Sequence, residues 1–227
     1  MRLPRHDTDL TLSAEHPREA LERDQAVLER GVPTVRWYWV TAPAVVLGLA
    51  LHHRAADVVD FERCRAQGVD ILHRAAGGGA VLLDEGMICC TVCLPLSDPR
   101  LSADLTESYR WLGDYFARRV GGRRVDVAEA RAEVASVSPD SLLRATCYGL
   151  LSPHEVVDAD GAKVVGLAQI RRRHAALFQV GILLRDQSPL ADLLRVPDAA
   201  ARDALRTELR CRSAAISVGL IEPEQFL

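Results

Sequence analysis

The sequence predicts an α/β (α+β) fold in which a mixed, largely antiparallel sheet is flanked by helices. Short apolar runs typical of strands are interspersed with segments of helical period, and neither kind is gathered into a block of its own. The 227 residues contain no internal repeat, low-complexity tract or linker. A chain of this length can bury a sizeable core, so we expect a single domain over residues 1–227.

The first half of the chain predicts two helices and several short strands. Apolar residues at helical spacing predict a helix over residues 17–30, which Gly31 and Pro33 end. A shorter helix is expected over about 60–67. The apolar, β-branched and aromatic runs predict strands at 35–40, 45–49, 70–73, 80–83 and 89–94.

The second half begins with the most regular amphipathic segment of the chain. Residues 105–120 predict a helix that ends at Gly121-Gly122, with four large side chains on one side: Leu105, Tyr109, Leu112 and Phe116. Residues 125–143 show no regular period. Beyond them we expect strands at 155–157, 164–169 and 176–184 and short helices near 190–194 and 199–209.

Composition excludes several classes of protein. The net charge of −3 offers no basic stripe for nucleic acid. No run approaches 18 uninterrupted apolar residues, which argues against a membrane span. The first residues lack the apolar core of a signal peptide, so the cytoplasm is the expected location.

Six cysteines are expected to be reduced in such a compartment. Cys89-Cys90-x-x-Cys93 resembles half of a zinc site, but no second pair with suitable spacing follows it. A strand there would also divide these side chains between its two faces. We therefore expect buried small apolar side chains in preference to a metal site.

Lysine is almost absent from this chain. Of 28 basic residues, Lys163 is the single lysine, and it lies in Gly161-Ala162-Lys163-Val164-Val165-Gly166. Its retention suggests that an ammonium is needed there, although a surface lysine on a hairpin is an equal alternative. Strand alternation separates Lys163 and Gln169 from Gly166 and Ala168, whose small size leaves room for a bound chain.

A triple glycine lies between two predicted strands. Gly77, Gly78 and Gly79 let the backbone approach a ligand closely, and their N–H groups can cradle an anion or a carbonyl. Arg74 stands beside them to neutralise charge. The spacing matches neither a phosphate-binding nor a dinucleotide-binding loop, and a plain sharp turn is the alternative.

Cys147 is the remaining candidate for chemistry. It lies in Arg144-Ala145-Thr146-Cys147-Tyr148-Gly149, and an ordinary thiol requires a nearby cation to become a good nucleophile at neutral pH. Lys163 is the expected cation if the fold brings the two together. A buried structural cysteine is the alternative.

Together these motifs resemble the biotin/lipoate protein ligase and octanoyltransferase superfamily. The resemblance runs from about residue 20 to 184 and rests on Arg74-x-x-Gly77-Gly78-Gly79-x-Val81-x-x-Asp84-x-Gly86 and on Lys163-x-x-Gly166-x-Ala168-Gln169-x-Arg171. It implies the fold of that catalytic domain. It also implies a substrate-binding set in the same motifs, comprising Arg74, Gly77, Gly78, Gly79, Val81, Gly166, Ala168 and Gln169.

Within the superfamily, the chain is more similar to the cysteine-dependent octanoyltransferases. The ATP-dependent ligases usually carry an Asn-Asp pair shortly before the lysine, and none is present here, whereas Cys147 lies at the octanoyltransferase spacing. Three positions depart from the usual pattern: His73, Leu83 and the run Gln179-Val180-Gly181. The third leaves the details of the acyl pocket and the choice of donor open.

The resemblance implies transfer of an octanoyl or lipoyl group from octanoyl-acyl carrier protein to a lysine of a lipoyl domain or of glycine-cleavage H protein. Cys147 would form the thioester intermediate, and Lys163 with the glycine N–H groups would stabilise the oxyanion. This transfer needs no cofactor. The alternatives are an ATP- and Mg²⁺-dependent lipoate–protein ligase, in which Cys147 is a bystander, and a non-catalytic binder.

Overall fold

The computed structural model describes residues 8–216, with side-chain contacts described from residue 12 onward. Its strands are β1 (Thr8–Glu15), β2 (Thr34–Val40), β3 (Ala44–Leu47), β4 (Asp70–His73), β5 (Val81–Leu83), β6 (Met87–Pro95), β7 (Arg123–Arg124), β8 (Val156–Val157), β9 (Lys163–Arg171) and β10 (Ala175–Leu183). Its α-helices are α1 (Pro17–Arg30), α2 (Ala55–Val58), α3 (Phe61–Ala66), α4 (Arg110–Val120), α5 (Val127–Ser136) and α6 (Ala199–Arg212). Short 3-10 helices occur at Leu49–Arg54, Glu107–Tyr109, Leu142–Ala145 and Ser188–Asp192.

The strands form two sheets. The larger has the order β1-β2-β6-β10-β9-β8-β7, and all its neighbouring pairs are antiparallel except β1 with β2. The smaller has the order β4-β3-β5, in which β3 is parallel to β4 and antiparallel to β5. This mixed, mostly antiparallel arrangement with flanking helices confirms the predicted fold class.

Each face of the large sheet is covered by different elements. On one face, α4 buries Leu112 and Phe116 against Trp37 and Phe178. On the other face, α1 and the small sheet pack against the alternate residues of the same strands, among them Tyr38. Because β6 and β10 are covered on both sides, they read as continuous apolar runs rather than as an alternation.

The helix boundaries follow the expected local chemistry. Pro17 occupies the first turn of α1, and Gly31 ends it in the left-handed conformation at a φ of 64°. The N–H of Gly31 donates to the Val27 carbonyl and so completes the cap. Gly121 ends α4 in the same way at a φ of 67°.

Several predicted elements need correction. The helix expected over 105–120 is a 3-10 turn at Glu107–Tyr109 followed by α4. Residues 125–143, expected to be irregular, contain α5, which escapes a periodicity search because Ala130 is its only buried residue. Strand β1 was not predicted. Its hydrogen-bonding partner is the distant β2, so its pairing is not a local property.

The three cysteines of β6 are buried, as the sequence predicts. Cys89, Cys90 and Cys93 are buried in β6, and all six cysteines are free thiols. Burial raises the pKa of the Cys89 thiol to about 12. Within residues 8–216, no helix is long and apolar enough to span a membrane.

Candidate functional site

The triple glycine is joined by hydrogen bonds to the segment that carries Cys147. Ala80, directly after the glycines, donates its N–H to the Ala145 carbonyl at 2.7 Å, and the Cys147 N–H donates to the Ala80 carbonyl at 2.8 Å. A Cβ on Gly79 would lie 2.5 Å from the Ala145 oxygen. Only glycine therefore permits this contact between two segments far apart in sequence.

Gly78 faces the thiol. It has a φ of 99°, which favours glycine, and the position of a Cβ there would be 3.9 Å from the Cys147 Sγ. Gly48 backs this turn so closely that a Cβ on it would collide with the Gly78 carbonyl. Gly77 borders open space, where an added Cβ would meet nothing within 4 Å. The turn thus brings backbone up to Cys147 from one side.

Arg74 is the cation beside the Cys147 sulfur. One of its terminal nitrogens lies 3.7 Å from Sγ and donates to the Gly77 carbonyl at 3.0 Å. Its Nε is buried and has no hydrogen-bond partner among the described residues. Cys147 itself is partly exposed, so its sulfur is open to a substrate.

Lys163 is a buried side chain and not a surface one. Its Nζ donates to the Cys147 carbonyl at 2.6 Å and pairs with Glu155 Oε2 at 2.6 Å, and it lies 5.1 Å from the centre of the Tyr148 ring. The surface-lysine alternative is therefore wrong. Lys163 does come close to Cys147, as expected, but it contacts the main chain of that residue, and the cation at the sulfur is Arg74.

Glu155 is a site residue that the sequence reasoning did not identify. Its carboxylate is buried and accepts from the Ser152 N–H at 2.6 Å and from the Leu167 N–H at 3.2 Å, besides pairing with Lys163. Burial raises the pKa of the Glu155 carboxyl above its ordinary value, and the Lys163 ammonium opposes that rise. The predicted hairpin could have identified Glu155, because pairing its two strands brings Glu155 towards Lys163.

Two spaces meet at Cys147. A cleft of about 440 Å³ is lined by the glycine turn and by polar residues that include Tyr109, Glu155 and Gln169. A narrow channel of about 50 Å³ runs between the two sheets, and most of its wall is apolar: Tyr38, Val46, Val81, Leu83, Met87 and Tyr148. Four residues line both spaces: Arg74, Cys147, Leu167 and Ala168.

The predicted substrate-binding residues divide between these spaces. The three glycines and Gln169 line the cleft, Val81 and Gly166 line the channel, and Arg74 and Ala168 line both. The room expected beside Gly166 is largely taken by Tyr148. The Tyr148 hydroxyl donates to the Gly181 carbonyl at 2.8 Å and accepts from the Gly166 N–H at 3.2 Å. A Cβ on either glycine would lie within 3 Å of the Tyr148 side chain.

In the range 8–216, no group of three or more His, Cys, Asp or Glu side chains is arranged to hold a metal ion. The Cys89 side chain lines the channel, where its raised pKa keeps it a neutral thiol. Cys147 is partly exposed and has a guanidinium beside its sulfur.

Comparison with known proteins shows which proteins this chain is similar to. Octanoyltransferase LipM of Kyrpidia tusciae is 34% identical over 180 residues, which cover 77% of this chain and 63% of that protein. Octanoyltransferase LipM of Carboxydothermus hydrogenoformans is 28% identical over 193 residues, covering 85% of this chain and 68% of that protein. The chain thus spans about two thirds of the length of these relatives.

Solved structures show the same fold. A bi-partite lipoate protein ligase from Thermoplasma acidophilum, studied with its E2 lipoyl domain, superposes with a TM-score of 0.70 at 24% identity over 95% of this chain and 78% of that one. A lipoate-protein ligase A bound with ATP superposes with a TM-score of 0.61 at 20% identity, covering 97% of this chain and 91% of that one. The lipoyl protein ligase A/B catalytic domain matches residues 16–222. This chain therefore belongs to the lipoyl protein ligase A/B catalytic domain family.

Proposed function

We propose that this protein is an octanoyltransferase of lipoate biosynthesis that works through a thioester on Cys147. It moves an octanoyl or lipoyl group from an acyl thioester on acyl carrier protein to a lysine of a lipoyl domain or of glycine-cleavage H protein. The observation that carries the proposal is the position of Cys147, whose sulfur lies where an apolar channel meets a wider cleft of mixed polar and apolar lining. The names of the relatives described above support the same activity.

The channel suits a saturated acyl chain. Its walls belong to an apolar cluster that includes Val46, Leu83 and Met87, with Cys147 packed at its margin. Burying the seven carbons beyond an octanoyl carbonyl, at about 0.8 kcal/mol each, supplies roughly 5 kcal/mol of recognition. The channel of about 50 Å³ is smaller than this acyl chain, so flexible side chains, Met87 among them, must shift to admit it. The cleft then remains for the thiol arm of the donor and for the acceptor lysine.

In the first step, the Cys147 thiolate attacks the thioester carbonyl. The new bond joins Sγ to the acyl carbon, the bond to the donor sulfur breaks, and the donor thiolate leaves with a proton that balances the one Cys147 released on ionising. Arg74 stabilises the attacking thiolate through the contact at 3.7 Å. Its buried, unpartnered Nε is a further donor that the oxyanion can use.

In the second step, the acceptor amine attacks the acyl-enzyme. An amide bond forms and the bond between the acyl carbon and Sγ breaks. The proton lost by the amine is taken up by Sγ, which regenerates the Cys147 thiol. The reaction exchanges one thioester for another and then for an amide, so it needs neither ATP nor a bound cofactor.

Lys163 and Glu155 organise this centre. The Lys163 ammonium is buried and lines neither the cleft nor the channel. Two of its three N–H donors are used, one on the Cys147 carbonyl and one on Glu155, so Lys163 acts by fixing the main chain of Cys147. Glu155 holds that ammonium in place, and its hydrogen bond from Leu167 ties the pair to β9. The N–H groups of the Gly77–Gly79 turn are the other candidates for stabilising an oxyanion.

The test is to supply octanoyl-acyl carrier protein in one tube and octanoate with ATP and Mg²⁺ in another. We expect an octanoyl adduct on Cys147 by intact mass and labelled lipoyl domain in the first tube alone. Cys147→Ala should abolish both signals, and Arg74→Met should slow the adduct. The sharpest contrary result is acceptor labelling that requires ATP and survives Cys147→Ala.

That contrary result would establish the second candidate, an ATP-dependent lipoate–protein ligase. The buried Nε of Arg74 favours the ligase reaction, because an anion in the cleft, such as a phosphate, would supply its missing hydrogen-bond partner. In that reaction Arg74 and Lys163 would oppose the phosphate and the carboxyl oxygen. A protein that forms no adduct and labels no acceptor in either tube would be a binder and not an enzyme.

A further inference from the structure

Gln169 presents an amide that nothing in the described structure satisfies. Both Nε2 and Oε1 are buried, and neither has a hydrogen-bond partner among the described residues. The side chain lines the same cleft as Cys147 and Arg74. A buried polar group without a partner destabilises the fold, so its presence beside a substrate cleft points to a partner that arrives with the substrate.

Phe178, Tyr109 and Glu155 make no hydrogen bond to the Gln169 amide. Directly across the ladder from it is Phe178, whose ring packs edge-on against Tyr109 with centroids 5.8 Å apart. The faces of both rings are apolar and offer the amide no strong hydrogen bond. Glu155 is engaged by Lys163 and by two main-chain N–H groups.

The main chain of β9 is also open on this side. Strand β8 pairs with β9 only at Val165 and Lys163. Leu167 turns its N–H away from β10 and towards Glu155. Because the hydrogen-bonding direction alternates along an antiparallel strand, the main-chain groups of Gln169 point the same way. The side-chain amide and the main-chain groups of Gln169 therefore both offer a donor and an acceptor.

We propose that Gln169 binds an amide group of the thiol arm that carries the acyl chain to Cys147. A primary amide offers both a donor and an acceptor, which complements the N–H and C=O of a secondary amide. The inference rests on the proposed function, and it names a recognition element of the donor. With the acyl chain in the channel, the leaving sulfur and its arm must pass through the cleft that Gln169 lines.

The burial of the Gln169 amide selects this ligand over the acceptor. A pantetheine-type arm carries its first amide two methylenes from the sulfur, and such a slender chain can reach a group below the rim of the cleft. The nearest amides of an acceptor lysine belong to the main chain of a folded domain. That main chain must remain outside a wall in which Nε2 and Oε1 are buried.

The test compares two octanoyl thioesters of similar length. The N-acetylcysteamine thioester has an amide two methylenes from sulfur, and the 1-pentanethiol thioester has none. The rate of Cys147 acylation is measured by intact mass in single turnovers for the wild type, for Gln169→Met and for Gln67→Met. Gln67 is an exposed residue at the end of α3 and provides the matched control.

We expect the wild type and Gln67→Met to prefer the amide thioester, and Gln169→Met to lose that preference on the order of tenfold. Comparing ratios within each variant cancels the intrinsic difference between the two leaving thiols. Gln169→Met should fold at least as stably as the wild type, because it removes two buried atoms that have no partner.

Two outcomes would overturn the inference while leaving the proposed function intact. One is an unchanged preference in Gln169→Met. The other is a defect confined to transfer from preformed octanoyl-enzyme to the lipoyl domain, which would assign Gln169 to the acceptor. If wild-type protein forms no adduct with either thioester or with octanoyl-acyl carrier protein, the proposed function itself fails and takes this inference with it.

Discussion

The buried pair of Glu155 and Lys163 makes the most demanding prediction about stability. The side chains are 2% and 1% exposed, and their charged atoms are 2.6 Å apart. Glu155→Gln keeps the shape of the side chain and leaves the ammonium buried without its carboxylate. Breaking a buried pair in this way costs about 3–5 kcal/mol. Gln also has one acceptor oxygen where Glu155 uses two, so one bond from Ser152 or Leu167 is lost as well.

The loss is measurable by urea unfolding or by heating. For a chain of this size, about 2–4 °C of melting temperature corresponds to each kcal/mol, so Glu155→Gln should lower the midpoint by on the order of 10 °C. The double variant Glu155→Gln, Lys163→Met removes both charges and should recover most of the loss, since apolar replacement of a buried pair is often neutral. Recovery of stability should occur without recovery of transfer.

An exposed pair provides the control. Arg65 and Glu62 lie 3.0 Å apart on α3 with side chains 76% and 79% exposed. Glu62→Gln should change the midpoint by no measurable amount, because such a pair is screened by water. The reasoning is refuted if Glu155→Gln melts within about 2 °C of the wild type, or if the double variant melts no higher than Glu155→Gln.

Two further predictions concern the turn and the segment before Glu155. Gly79→Ala should destabilise the fold by about 1–3 kcal/mol and slow acylation of Cys147, because its Cβ would lie 2.5 Å from the Ala145 oxygen. In Gly77→Ala the new Cβ meets no atom within 4 Å, so the free energy of unfolding should hardly change, and equal effects of the two variants would contradict the geometry. Burial, reinforced by Arg124, lowers the pKa of His154, so the folded state binds fewer protons and stability should fall as pH drops below about 6.5. His154→Asn, which tolerates the φ of 71°, should flatten that loss in unfolding curves at stepped pH, and an unchanged slope would count against it.

Local patterns predicted the elements whose signals are local. The helix α1 was predicted within its observed bounds, Pro17–Arg30, because its apolar period, its first-turn proline and its terminal glycine lie in one continuous segment. The strands around the triple glycine followed from apolar runs of the right length. Helix α5 was missed because it buries almost nothing, and β1 because its pairing partner lies about 25 residues away.

The sequence by itself determined the superfamily, the fold class and the two residues on which the proposed chemistry depends. Motif spacing carries that information directly, since glycines, Cys147 and Lys163 are recognisable by type and order alone. Which cation meets the sulfur was decided only by the tertiary structure. Arg74 and Cys147 are 73 positions apart and meet because Gly79 lets Ala80 bond to the segment before the thiol. The Lys163 ammonium binds Glu155 and the Cys147 carbonyl instead of the sulfur. The spacing of residues along the chain does not show which of these neighbouring groups it binds.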